Sequence, residues 1–192
     1  MAQFGGTGAM GKPIINVADA PVHRGKSGAS FEYSMSELAG VLGAESIGAN
    51  VTRVPPGKAA FPFHHHHANE EHFFILSGTG VLRVGAETFA VRPQDYIVNR
   101  PGGAEAAHQL INSGDEDFVY LAISTRQMPE VVGYPDSGRT GVRTAMGDAP
   151  GARFLLRDSD KNSVGYWDGE DGARVVEIVG ARARSLRRED FP

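Results

Sequence analysis

The chain has no cysteine, only one tryptophan, no long apolar run and no excess of charge of one sign. Without cysteine, disulfides and thiolate metal sites are excluded, so any metal must be held by imidazole and carboxylate. No apolar stretch approaches the ~20 residues of a membrane-spanning helix, and a soluble, membrane-free protein is expected. Nineteen Lys and Arg against 23 Asp and Glu give a formal charge of −4, which supplies no basic field for nucleic acid. Four arginines do gather in the terminal "ARARSLRREDFP", but Glu189 and Asp190 follow at once, the pattern of a solvated tail. The opening "MAQFGGTGAMGKPIINV" lacks the apolar core of a secretory signal, so a cytoplasmic location is expected. There is no internal repeat and no low-complexity tract.

What is present is turn chemistry. Twenty-five glycines and 11 prolines are spread along the 192 residues, implying many tight turns and many short strands within one domain carrying arms. Residues 1–28 lack periodicity and read as an extended arm. "SMSELAGVLGA" (34–44) fits a short helix capped by Ser36. From residue 46 onward, short apolar or alternating runs are broken by "PPG", "SGTG", "GAE", "PGG" and "SGDED", which indicates an antiparallel all-β domain. Strands are expected near 46–54, 60–67, 71–77, 80–84, 88–92, 95–99, 107–112 and 117–124, with a hairpin across "GAE". Beyond Thr125, "EVVGYPDSG" starts as a strand and stops at a proline turn. "FLLRD", "SVGYWDG" and "ARVVEIVG" read as further strands.

The stretch "FPFHHHHANEEHFFILSG" (61–78) concentrates the chemistry. Along a strand, alternate side chains share a face and lie about 6.5–7 Å apart, so two imidazoles at that spacing can converge on one ion. The run offers two mutually exclusive pairs, His64 with His66 or His65 with His67. A carboxylate from the next strand completes a third ligand. Glu71 shares its face with Phe73 and Ile75, where an ionised acid is costly unless paired or bound to a cation; Glu70 is the substitute. His23 and His108 are the distant candidates for a fourth ligand, and His108, in the strand "AAHQLIN", fits better than His23 in the loose arm. His72 should point away from the site.

"PPGKAAFPFHHHHANEEHFFILSG" resembles the first signature of the cupin superfamily, with Gly57, a His-x-His pair, a glutamate and Gly78. "DYIVNRPGGAEAAHQLIN" resembles the second, with Pro101, Gly102, His108 and Asn112; Gln94 stands where that signature has glycine. "HHANEE", "AHQLIN", "LAIST", "YPDSG" and "YWDGE" are similar to one branch of single-barrel bacterial cupins without an agreed activity. The resemblance implies a double-stranded β-helix, the jelly-roll cupin barrel, over 29–128. The arm 1–28 would precede it, and strands and tail over 129–192 would pack on the barrel or on a partner subunit. In that branch the ligand pair falls on the first and third histidines, so the implied metal ligands are His64, His66, Glu71 and His108. His65 and His67 would then form a solvated or interface-facing outer pair.

Three imidazoles and one carboxylate suit a single divalent Fe, Mn, Zn or Ni ion per chain and disfavour Ca and Mg. The implied function is a small-molecule enzyme, with dioxygenase chemistry ahead of isomerase or decarboxylase chemistry and a non-catalytic sensor as the rival. Tyr96, Tyr120, Arg53, Arg83 and Gln109 are the polar strand residues from which a base could come. A homodimer binding a small-molecule ligand is the expected assembly.

Overall fold

The structure is a computed structural model that describes residues 12–145, 151, 153–158, 164–165, 168, 173 and 175–177. The chain divides into two units, residues 1–158 and 159–192.

The described residues of the first unit form thirteen strands. They are β1 (Val22–Ser27), β2 (Phe31–Glu37), β3 (Ile47–Val54), β4 (His65–His66), β5 (Glu71–Ser77), β6 (Gly80–Val84), β7 (Glu87–Val91), β8 (Tyr96–Asn99), β9 (His108–Asn112), β10 (Phe118–Thr125), β11 (Glu130–Tyr134), β12 (Arg139–Arg143) and β13 (Arg153–Arg157). A six-stranded sheet runs β1-β2-β3-β10-β5-β8, a four-stranded sheet runs β13-β12-β11-β4, and a three-stranded sheet runs β7-β6-β9. All the strand pairings are antiparallel. The fold is the expected double-stranded β-helix.

Alternation decides which side chains are inside. From the six-stranded sheet, Val54, Phe73, Ile75, Ile97, Phe118 and Tyr120 point into one apolar cluster, met by Leu82, Val91 and Leu110 of the three-stranded sheet. At 0 % exposure, Val54, Ile75 and Phe118 mark its centre, and each buried aliphatic or aromatic side chain there stabilises the fold by roughly 1.5–3 kcal/mol. Gly78, the glycine of the first signature, closes the β5–β6 turn at φ 77°. A Cβ there would also run into the backbone of Asp117 and Phe118, so the turn excludes every other residue. Gln94 adopts φ 76° at the position where the second signature has glycine, so the turn before β8 keeps its left-handed form without one.

Several expectations change. Residues 34–37 are strand, not helix, and Ser36 caps nothing: "FEYSMS" already alternates from Phe31, and pairing with β3 wins over local helix propensity. Part of the expected arm is β1, hairpinned onto β2. The strand expected over 60–67 shrinks to His65–His66. "FLLRD" forms β13 as expected, pairing with β12. In "SVGYWDG", Val164 and Gly165 are not strand and Asp168 lies in a turn that accepts the Gly165 N–H; Tyr166 and Trp167 lie outside the described residues. In "ARVVEIVG", residues 173 and 175–177 are helical rather than extended. The arginines of the tail also lie outside the described residues. No helix among the described residues is long and apolar enough to cross a membrane.

Candidate metal centre

His64 and His108 face each other across neighbouring chain segments: each backbone N–H donates to the other's carbonyl, at 3.2 and 2.7 Å. Directly opposed residues project to the same face, and His66, two positions on, joins them. This selects the face of His64 and His66 over that of His65 and His67. Glu71, the first residue of β5, meets them from the six-stranded sheet. Its Oε2 lies 3.0 Å from His108 Nε2, 3.5 Å from His66 Nε2 and 3.8 Å from His64 Nε2. The rings of His64 and His66 sit 5.0 Å apart, and those of His64 and His108 4.8 Å apart. His64, His66 and Glu71 each offer a ligand atom within 4.8 Å of the others.

The other ring nitrogen of each histidine explains this orientation. His64 Nδ1–H donates to the Pro62 carbonyl at 2.8 Å and His108 Nδ1–H to the Ala106 carbonyl at 3.3 Å. A carbonyl only accepts, so both rings carry a proton on Nδ1 and direct Nε2 inward, where that of His108 is within hydrogen-bonding distance of Glu71 Oε2. His66 Nδ1 faces the Glu130 carboxylate at 3.6 Å, and neither of its ring nitrogens has a hydrogen-bond partner although both are buried. Three imidazole nitrogens converging on one carboxylate oxygen need a proton or a cation between them, and a single divalent ion satisfies all of them at once. The residues therefore fit a divalent metal.

Electrostatics agree. Burial pushes His64 down to about 4, further than the Glu71 charge can raise it, with the neighbouring histidines adding to the fall. For His66, burial acts downward but the nearby carboxylates of Glu71 and Glu130 win, and its pKa is raised. Glu71 is lowered far below the usual carboxylate range because His108 and His66 outweigh its own burial.

Glu130 is the residue that sequence reasoning missed. At 3 % exposure it is buried, and its Oε1 accepts the backbone N–H groups of His67 at 3.1 Å and Ala68 at 3.2 Å. Asn69 donates its amide to Glu130 Oε2, while its own Oδ1 accepts from Gln127 N at 2.6 Å and Thr125 Oγ1 at 3.0 Å. This network ties the turn after β4 to the start of β11. The signal was available: Glu130 shares its strand face with Val132, the same oddity that exposed Glu71.

The remaining expectations sort as follows. His65 is not solvated. It is buried, donates Nδ1–H to the Gly102 carbonyl at 2.8 Å, and lies so close to Gly133 that a Cβ there would overlap its ring. His67 is exposed. His72 points away, as expected, bridging Tyr96 Oη and Glu70 Oε1, each at 2.6 Å. His23 lies in β1, paired with Met35. Asn112 is structural, donating to the carbonyls of Val54 and Glu116 and accepting the Gly114 N–H. "YPDSG" is a turn over Pro135–Ser137, where Asp136 takes Arg83 in a bidentate pair at 2.7 and 2.8 Å.

A cavity of about 250 Å³ opens on the cluster, lined by His64, His66 and Glu71 together with Phe61, Met128, Val132, Tyr134, Arg126 and Arg143. None of Tyr96, Tyr120, Arg53, Arg83 or Gln109 lines it. Tyr120 sits in the core, where burial and the Glu71 charge push its phenol well above the usual range. Gln109 is used on the Phe61 carbonyl and Arg53 on Asp117.

Residues 50–124 match the model of the cupin domain. The chain carries a cupin domain. Solved cupin-like structures resemble it over most of their length. A proposed sugar phosphate isomerase from Acidithiobacillus ferrooxidans is 27 % identical with a TM-score of 0.62, over 70 % of this chain and 81 % of that one. A sugar phosphate isomerase of the cupin superfamily from Silicibacter pomeroyi is 21 % identical with a TM-score of 0.67, over 81 % of this chain and 98 % of that one. A polyketide cyclase from Streptomyces resistomycificus is 19 % identical with a TM-score of 0.52, over 61 % of this chain and 82 % of that one. At those identities the last two show the shared fold. No curated protein matches the chain.

Proposed function

We propose that this cupin domain is a metal-dependent enzyme on a small, oxygen-rich molecule, with His64, His66, Glu71 and His108 holding one divalent ion and isomerase chemistry as the reaction class. The observation that carries the metal reading is the set of three Nε2 atoms directed at Glu71 Oε2, two of them oriented by Nδ1–H bonds to carbonyls. When bound, a divalent ion at such a site polarises a substrate carbonyl or steadies an enediolate. The chain's own residues do the rest: Glu130 faces the His66 ring and ties down the turn beside it, and Phe61, Met128 and Val132 shield the cavity from water. The likeness to the proposed sugar phosphate isomerase, at 27 % identity, supports isomerisation over oxidation.

Dioxygenase chemistry, the expectation from the sequence, is the second reading, because the same ligand set suits Fe(II). Elemental analysis of protein purified without added metal, followed by parallel assays of aldose–ketose interconversion and of oxygen uptake, separates them. Interconversion without oxygen uptake supports the proposal. Bound iron with substrate-dependent oxygen uptake overturns it in favour of a dioxygenase, and a His64→Ala protein that binds substrate as well as the wild type sinks both.

For the assembly we propose a homodimer through the outer face of the six-stranded sheet. Leu76, Tyr96 and Val98 are 44 %, 61 % and 46 % exposed there, and partly buried Phe74, Leu121 and Ile123 continue the apolar surface. Light scattering that reports a monomer at micromolar concentration contradicts this.

A further inference from the structure

The cavity has a second chemical character besides the histidines: two arginines line it. Arg126 follows β10 and is half-buried. One of its guanidinium N–H groups donates to the Ala44 carbonyl at 2.8 Å, and its backbone N–H donates to Ser46 at 3.0 Å. That hydrogen bond leaves most of the fork's five donors uncommitted. Arg143 ends β12, opposite Glu130 in the strand register, and its side chain is exposed. Both line the same cavity, together with Ser124 and Thr125.

Neither arginine forms an ion pair with a carboxylate among the described residues, although pairing is common elsewhere on the barrel. Arg53 pairs with Asp117 at 3.1 Å, Arg83 with Asp136 at 2.7 Å, and Lys26 with Glu32 at 2.8 Å. The acid opposite Arg143, Glu130, already accepts from His67, Ala68 and Asn69. Two guanidinium groups on one cavity wall repel each other and can only donate. A shared oxyanion relieves the repulsion and matches the planar fork.

We propose that Arg126 and Arg143 form an oxyanion subsite at the rim of the cavity, which takes the phosphate or carboxylate group of a small substrate. Phe61, Met128 and Val132 add apolar wall to the same cavity. A cavity of about 250 Å³ lies below the ~300–1,000 Å³ range of pockets for drug-sized ligands. The ligand is therefore a short carbon skeleton with oxygens at one end for the metal centre and an anionic group at the other. The placement of the oxygens rests on the metal reading above; the oxyanion subsite does not.

The test is calorimetric titration of the wild-type protein with inorganic phosphate and, separately, with malonate. Wild type should bind at least one of them, with affinity falling as salt rises, and the tighter of the two identifies the anionic group. The R126Q/R143Q double variant should bind at least tenfold more weakly with metal content unchanged, and R126K/R143K should recover part of the loss. If the double variant does not fold, R143Q alone changes only an exposed side chain and should still weaken binding several-fold. His64→Ala protein, stripped of metal, should keep arginine-dependent phosphate binding, so that the subsite stands or falls apart from the metal centre. Wild type that binds neither anion at millimolar concentration, a double variant that binds like wild type, or loss of phosphate binding in His64→Ala overturns the subsite.

Discussion

His64, His66 and His108 turn the same ring nitrogen toward Glu71 because something waits for the proton on the other one. This gives the centre a defined response to pH. His64, lowered to about 4 by burial, is neutral through the neutral range and gives up no proton to a metal. Its lowered pKa contributes a stability that is full above the unfolded value near 6.5 and is lost as pH falls from there toward 4. His66 is raised by Glu71 and Glu130 despite burial, so a metal competes with a proton there at higher pH than at His64. Metal affinity should therefore rise by about tenfold per pH unit below the His66 pKa and flatten above it. Calorimetry in buffers of different ionisation enthalpy should record more proton release per ion at pH 6 than at pH 8, and release that does not change with pH would contradict the assignment to His66.

Glu130 supplies a second test at the same scale. In Glu130→Gln, an amide oxygen can still accept from His67 and Ala68, but the new NH₂ then faces the donor amide of Asn69. Asn69 cannot flip, since its Oδ1 accepts from Gln127 and Thr125. The variant should lose about 1–3 kcal/mol of stability in chemical denaturation and ~10-fold or more in metal affinity. The contrast with Glu71 shows what a sequence discloses. An acid among apolar neighbours marked Glu71 because it stands beside a histidine run, whereas Glu130 stands 59 positions further on and only folding brings it to His66.

At the scale of elements, the segment that carries the site is the shortest strand of the barrel. β4 is two residues long, and its place is held from outside: Val132 and Gly133 of β11 pair with His66 and His65, and Gly102 N–H donates to the His66 carbonyl at 2.9 Å. His65 acts as the peg, its ring lying over Gly133 and donating to Gly102. Gly133→Ala would push a methyl into that ring. It should cost roughly 1–3 kcal/mol and displace β4 enough to weaken metal binding, measured as a lower denaturation midpoint with an unchanged slope.

Strand alternation in the sequence separated the two histidine pairs correctly but could not show that the outward-facing pair would be split, one ring buried and one exposed. That outcome depends on β11, which lies more than sixty residues away in the chain. The same limit applies to 34–44, where local glycines and a serine suggested a helix and the partner strand β3 decided otherwise.

For the whole molecule, the eight strands from β3 to β10 were legible because turn residues punctuate them, and the jelly roll followed from their number and from the two signatures. Beyond them, β11 and β13 were legible in "EVVGY" and "FLLRD", whereas β1 and β2 at the edge of the six-stranded sheet and β12 between β11 and β13 were set by pairing rather than by local pattern. These late strands bring Glu130, Tyr134 and Arg143 to the cavity, so the chain past residue 128 helps build the site. A bound ion couples this assembly together. At a hundredfold excess over its dissociation constant, a divalent metal should add about 2.7 kcal/mol to the first unit, seen as a rise of several degrees in melting temperature that a chelator reverses.

The most direct measurement is a calorimetric titration of chelator-treated protein with Co(II), repeated on His64→Ala, His66→Ala, Glu71→Ala and His108→Ala. One ion per chain in the wild type, lost or weakened at least a hundredfold in each folded variant, is the expected result. Wild-type protein that takes up no Co(II) at micromolar concentration, or binding that survives all four substitutions, would contradict the metal centre.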